Sequence, residues 1–219
     1  MSQRRYDLVV FDWDGTLFDS TRLITRCIQW ACADVGIAVP SDRDASYVIG
    51  LGLADALLHA APDLPPARYR ELGERYRHHY YASQNDLVLF EGTLEMLQAL
   101  KHRNHRLGVA TGKTRRGLDD ALQHSALKGL FDATRTADET AGKPDPLMLH
   151  ELMRELGTGA DRTLMIGDTT HDLQLAANAG CASVAVGFGA HEHEAFAAFA
   201  PLHVAHSTTE LASWLARHA

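Results

Sequence analysis

The sequence predicts an α/β protein: a doubly wound parallel sheet with helices on both faces and an all-helical unit inserted after its first strand. Three observations predict it. From residue 87 onward, short apolar runs alternate with amphipathic segments, the pattern of parallel strands joined by crossover helices. Residues 8–11 are apolar throughout, as a strand buried on both faces must be. Between residues 21 and 86 no strand pattern occurs, only helical spacing.

The elements follow in order. After the strand at 8–11, apolar Leu23, Ile24, Cys27, Ile28, Ala31 and Val35 define a helix over 21–35, with Gly36 as its C-terminal cap. Ser41 to Asp44 resembles a capping box with Asp in place of Glu, and it opens a short helix ending by Gly50. Residues 53–60 form the next helix. Pro65 and Pro66 introduce a longer polar one through Tyr69, Leu72, Tyr76 and Tyr80. Beyond residue 87 the pattern predicts helices over 93–102, 114–124, 146–156 and from Thr169 to Asn178. Strands are predicted at 107–111, 131–136, 163–166 and 183–186, with a short last one at 203–205.

Bulk properties narrow the function classes. A chain of 219 residues with 46% hydrophobic content supports one large domain, or a core carrying a smaller insert. The net charge of -7, with no basic stripe, argues against nucleic-acid or anionic-membrane partners. Cys27, Cys32 and Cys181 are odd in number and lack C-x-x-C spacing, which suits reduced thiols in the cytoplasm. The first strand follows Arg4 and Arg5 almost directly, so neither a signal peptide nor a membrane span is expected.

Four stretches carry chemistry. Asp12 and Asp14 stand at the carboxyl end of the first strand, where ligands bind in open parallel sheets. Two buried carboxylates there require a cation, and a divalent metal is the obvious one. An alternative gives both residues only the capping of a helix starting near Thr16. Thr111 and Gly112 end another strand beside a helix start, offering a hydroxyl and free N–H groups to an anion. Lys143 lies in Gly142-Lys143-Pro144-Asp145-Pro146, a loop stiff enough to hold a single cation in place. Asp168 and Asp172 close a further buried strand, about one helical turn apart.

The order Asp-x-Asp-Gly-Thr, Thr-Gly, Lys-Pro, Gly-Asp-x-x-x-Asp resembles the haloacid dehalogenase superfamily, in particular its phosphoglycolate-phosphatase-like branch with a helical cap after the first strand. The resemblance spans nearly the whole chain. It implies a catalytic core of residues 1–19 and 87–219, a cap of residues 20–86, and hydrolysis of a small phosphorylated metabolite. It further implies Asp12 as nucleophile and Asp14 as general acid, then base. Magnesium would be held by Asp12, the Asp14 carbonyl and Asp168. Thr111, Gly112 and Lys143 would bind the phosphoryl oxygens, with Asp172 acting behind them through metal-bound water or Lys143. Haloacid dehalogenases themselves lack an acid at the Asp14 position because halide leaves without a proton; an alkoxide needs one, which favours phosphate esters. Specificity is expected in the cap around Gly50, Leu51 and Gly52, where a closing loop would meet the leaving group. A monomer or homodimer is expected.

Competing readings are weaker. A phosphomutase of the β-phosphoglucomutase type would use the same aspartyl phosphate but exclude water. A catalytically silent interaction protein would have lost Asp12 or Asp14. Gly112-Lys113-Thr114 resembles the end of a P-loop, but the first glycine it needs falls on Leu107. Gly50-Leu51-Gly52 lacks the third glycine of a dinucleotide fingerprint. His191-Glu192-His193 and His78-His79 lack the i, i+4 spacing of a helical metal site and suit surface or packing roles. Tyr69, Tyr76 and Tyr80 suit the apolar stripe of a helix, and Trp13 a packing role.

Overall fold

A computed structural model of the chain describes residues 5–83, 87–123 and 126–219. Its sheet has six parallel strands: β1 (Leu8–Phe11), β2 (Arg106–Thr111), β3 (Ala133–Thr136), β4 (Thr163–Gly167), β5 (Ala182–Val186) and β6 (Val204–Ala205), in the order β3-β2-β1-β4-β5-β6. The chain winds from β1 outward to β3, then crosses back to place β4 on the other side of β1. That reversal makes the carboxyl ends of β1 and β4 a topological switch point, where an open sheet parts to form a crevice. In register, Phe11 lies beside Val109 on one side and Ile166 on the other, so Asp12 is the first residue to emerge into the crevice.

Alternation along β1 fixes the two faces of the sheet. Val9 and Phe11 join Leu107, Val109, Leu164 and Ile166 against α5 (Thr93–His102) and α9 (Thr208–His218). Leu8 and Val10 join Ala110 and Met165 against α7 (Leu147–Glu155) and α8 (Thr170–Asn178). Trp13 packs into the first of these layers, stacked on Phe18 with ring centroids 4.8 Å apart.

Between β1 and residue 87 the described chain is helical: α1 (Thr21–Asp34), α2 (Asp42–Tyr47), α3 (Leu53–Ala60), a 3-10 turn (Pro66–Arg68) and α4 (Tyr69–Ser83). These helices bury a core of their own, in which Ile24, Ile28, Ala31 and Val35 meet Val48, Ile49, Leu57 and Leu72. Ser41 caps α2 by accepting from the Asp44 N–H, and its hydroxyl donates to the Asp44 carboxylate. The expected C-terminal bound of the insert, Asp86, lies outside the described residues, as does His124, the expected last residue of the helix found as α6 (Arg115–Gln123).

Several expectations are corrected. No helix starts near Thr16: α1 begins at Thr21 with Ser20 as its N-cap residue, so neither Asp12 nor Asp14 caps a helix. β3 starts at Ala133 rather than Phe131, and Pro146 sits at the N-cap of α7 instead of in its first turn. A 3-10 helix over His193–Phe199, which the sequence pattern missed, buries Phe196. Among the described residues, no helix is long and apolar enough to cross a membrane.

Candidate active site

Asp12 leaves β1 as a buried residue whose N–H donates to Ile166 at 2.9 Å, which ties its backbone to β4. Its Oδ1 accepts from Lys143 Nζ at 2.6 Å. Its Oδ2 is buried and has no partner among the described residues. A carboxylate oxygen in that position is costly unless something outside the chain satisfies it. Lys143 also donates to Asp172 Oδ1 at 2.6 Å, so one ammonium bridges the ends of β1 and α8. Burial works against the charge on Lys143, but Asp12 and Asp172 together raise its pKa.

Asp172 has a second task. It is the third residue of α8 and completes a capping box with Thr169: the Thr169 side chain accepts from the Asp172 N–H, and Asp172 Oδ2 accepts from the Thr169 N–H at 3.1 Å and hydroxyl at 2.7 Å. The first-turn acid of α8 and the partner of Lys143 are thus one residue. Asp168, fully buried at the end of β4, accepts from the Thr16 hydroxyl at 2.9 Å and from the Ala190 N–H at 2.7 Å. Burial, and then the Asp172 charge, push its carboxyl up to about 7. Burial likewise holds Asp12 well above the usual carboxylate range, against the pull of Lys143.

Ligand atoms of Asp12, Asp168 and Asp172 lie within 4.8 Å of one another. Two of these three buried carboxylates share Lys143, and one of their oxygens has no donor among the described residues. An all-oxygen set with surplus negative charge suits a hard divalent cation such as magnesium. The sequence expectation grouped Asp12, the Asp14 carbonyl and Asp168, with Asp172 behind them. The side chain of Asp172 stands in the same cluster as those of Asp12 and Asp168.

The Asp14 side chain points away from that cluster. Ser20 donates to its Oδ1 at 2.8 Å, and Lys113 Nζ lies 3.0 Å from its Oδ2. Lys113 also donates to the Tyr80 hydroxyl at 2.8 Å and sits 5.0 Å from the centre of that ring. Burial opposes its charge, yet Asp14 and Tyr80 raise its pKa. Sequence reasoning met Lys113 only as part of a failed P-loop and Tyr80 only as helix stripe. The available signal was a lysine directly after the strand-ending Thr111-Gly112. Ser20, directly after Asp19, was likewise overlooked as a partner of Asp14.

A cavity of about 110 Å³ joins these groups, lined by Asp12, Asp14, Thr111, Gly112 and Lys113 from the sheet end. Its opposite wall is helical and mostly apolar: Ile24, Ile28, Ile49, Leu51, Tyr76 and Tyr80. Of the three residues expected to set specificity, Gly50 and Leu51 line this cavity. Gly52 does not: it sits at the N-cap of α3, and a Cβ there would come within 3.2 Å of Ala137. Gly112 marks the closest approach of the two walls, since a Cβ at that position would collide with the Leu51 carbonyl oxygen.

The dismissed histidines take packing or surface places. His79 pairs with Asp34 on the surface at 2.9 Å, while His191 is nearly buried beside His171. Burial lowers the pKa of both His171 and His191.

Residues 9–186 match the family of haloacid dehalogenase-like hydrolases. A 5'-nucleotidase of Pseudomonas aeruginosa is 33% identical over 98% of this chain and 97% of its own length. A phosphoglycolate phosphatase of Aliivibrio fischeri is 31% identical over 85% of this chain and 86% of its own. The crystal structure of a hydrolase from Pseudomonas syringae superposes with a TM-score of 0.88 at 22% identity, covering 97% of this chain and 99% of that one. The chain belongs to the haloacid dehalogenase-like hydrolases. Within them it is a phosphatase of the phosphoglycolate-phosphatase-like branch.

Proposed function

We propose that this chain is a magnesium-dependent phosphatase that hydrolyses a small phosphorylated metabolite through an aspartyl phosphate on Asp12, with the helices of residues 20–86 acting as a cap. The observation that carries the reading is Asp12 Oδ2. It is a buried carboxylate oxygen with no partner among the described residues, at the end of a central strand, on a residue that lines a pocket together with Thr111, Gly112 and Lys113, while Lys143 holds the other oxygen of the same carboxylate.

Asp12 would attack phosphorus through one carboxylate oxygen. A P–O bond forms as the P–O bond to the leaving alkoxide breaks, and Asp14 gives that alkoxide its proton. Water then attacks the phosphorus of the aspartyl phosphate with Asp14 as base, releasing orthophosphate and restoring the Asp12 carboxylate. Asp14 reaches the pocket with both oxygens engaged, so the leaving oxygen competes with Lys113 and Ser20 for the same carboxylate. Lys143 holds Asp12 in line and offsets charge on the phosphoryl group. The Thr111 hydroxyl and the N–H groups that follow it receive the remaining oxygens. Asp12, Asp168 and Asp172 would hold magnesium, which lowers the repulsion between carboxylates and phosphate and orients the phosphoryl oxygens.

The helical wall, mostly apolar with Arg77 as its one cation among the lining residues, supports a small leaving group on that side. The -7 net charge supports an enzyme without nucleic-acid partners, and we take it to be a cytoplasmic monomer or homodimer. The test is orthophosphate release from a panel of small phosphomonoesters, with and without magnesium, followed by acid quench of a radiolabelled substrate. Magnesium-dependent release and label on Asp12 are expected. Activity in excess chelator, label on another residue, or phosphate moved within the substrate without release would each overturn the reading.

A further inference from the structure

Where α2 meets the sheet, the structure holds a junction that none of the roles above uses. α2 ends at Tyr47, and a carbonyl in the last turn of a helix has no partner inside that helix. Two imidazoles from beyond β4 supply one. His171 Nε2 lies 2.8 Å and His191 Nε2 2.9 Å from the Tyr47 carbonyl oxygen. A carbonyl only accepts, so each ring donates an N–H. The other nitrogen of His191 fixes its tautomer, because Nδ1 accepts from the Thr170 N–H at 3.0 Å. The Tyr47 ring adds packing: it stacks on His191 with centroids 5.2 Å apart and meets His171 edge-on at 5.2 Å. Both imidazoles are nearly buried.

The segment that follows lies directly over the pocket. Gly50 has φ +92°, and a Cβ there would stand 3.2 Å from Thr169 Oγ1. The Leu51 carbonyl occupies the space left open at Gly112. The backbone N–H groups of Ile49 and Leu51 donate to Ser46 and Val48, within the insert itself. Among the described residues, the two imidazole bonds to Tyr47 are therefore the polar tie that sets this stretch of chain against the sheet end.

We infer that His171 and His191 are positioning residues: by gripping the carboxyl end of α2 they hold residues 48–53 over Thr111 and Gly112, and so fix the room left for the leaving group. The inference rests on the phosphatase reading for its catalytic consequence, but the grip itself is measurable without turnover. Breaking it frees the loop, which impairs an ester that must be clasped and spares a small activated phosphate that needs no clasp.

The experiment compares wild type with His191→Leu and His191→Gln, the second keeping a side-chain N–H able to reach the carbonyl. His171 is left intact in this pair because Asp172 adjoins it. Hydrogen exchange at residues 48–53 is read first, without substrate. It should rise about fivefold in His191→Leu, the effect of losing one hydrogen bond, and about twofold or less in His191→Gln. Turnover of the best ester from the substrate panel is then set against acetyl phosphate. The ester should lose about fivefold in kcat/KM in His191→Leu while acetyl phosphate stays within about twofold, with recovery in His191→Gln. Unchanged exchange at 48–53 would overturn the grip. Faster exchange with equal losses on both substrates would reduce it to a structural contact and overturn the positioning role. If His191→Leu fails to fold, His191→Ala set against His191→Gln gives the same readings. Failure of the phosphatase reading shows separately, as wild type releasing no phosphate from any substrate.

Discussion

The sheet end and the helical wall face each other across one cavity, yet they are built in different ways. The sheet end is a dense electrostatic assembly: Asp12, Lys143, Asp172 and Thr169 form one run of buried bonds, and Thr16 with Asp168 another, at 2.6 to 3.1 Å. The helical wall offers mostly apolar side chains, one glycine (Gly50) and, among the described residues, few polar ties to the sheet. The first can be altered only by unpairing a buried charge, which costs several kcal/mol. The second can change one side chain for another at the cost of packing alone. On the proposed function, reaction chemistry and substrate choice would thus sit on surfaces with different tolerance for substitution.

Substitutions in the two walls test that division. The largest effect is expected at the nucleophile. Asp12→Asn should lower phosphate release by roughly four orders of magnitude on every substrate, because a carboxamide forms no acyl phosphate. Steady-state rates on an ester and on acetyl phosphate measure it, and a variant that retains either activity would dissolve the contrast. Lys143→Met should follow, with a loss of about two to three orders of magnitude on both substrates. It should also destabilise the fold, since Asp12 and Asp172 would then stand buried without their shared cation.

Gly50→Val should separate the walls instead of silencing both. A β-branched residue at φ +92° displaces the loop, so ester turnover should fall by about tenfold or more while acetyl phosphate changes by less than about threefold. Equal losses would place the loop among the structural connections.

The smallest effect is on stability. Asp168 has its carboxyl raised to about 7 by burial and by Asp172, against about 4 in an unfolded chain. The folded state therefore binds this proton more tightly. Its stabilising contribution is complete below about pH 4 and is lost as pH rises through about 7. Without metal, melting temperature should decline over that window. Asp168→Asn should flatten the decline, and magnesium should raise the melting temperature by about 5 °C more at pH 8 than at pH 5. Calorimetry with and without chelator measures this, and a magnesium increment independent of pH would show that Asp168 is not among the metal's ligands.

The sheet was legible because its strands carry their own signal. Buried apolar runs that stop at Asp12, Thr111 and Asp168 declare both a strand and the crevice at its end. The insert was legible as helices, but its relation to the sheet was not. The bonds from Tyr47 to His171 and His191 join residues more than a hundred positions apart, and no local pattern encodes them. Lys113 escaped notice for a related reason. Its partners, Asp14 and Tyr80, come from the first strand's end and the last helix of the insert, so its burial follows only from their meeting. Asp172 shows the opposite case, where a local role as helix cap and a long-range ion pair coincide and the pattern alone could not rank them.

Ser20 carries a last consequence. It is the residue from which α1 departs, and its hydroxyl holds the Asp14 carboxylate. The start of the helical unit and the Asp14 carboxylate are therefore yoked through a single side chain. On the proposed mechanism, a swing of α1 away from the sheet would drag on the group that delivers the proton. Such an open enzyme would be a mistimed one, its acid out of place until the helices returned, so that the phosphorylated intermediate would form only when the gate is shut.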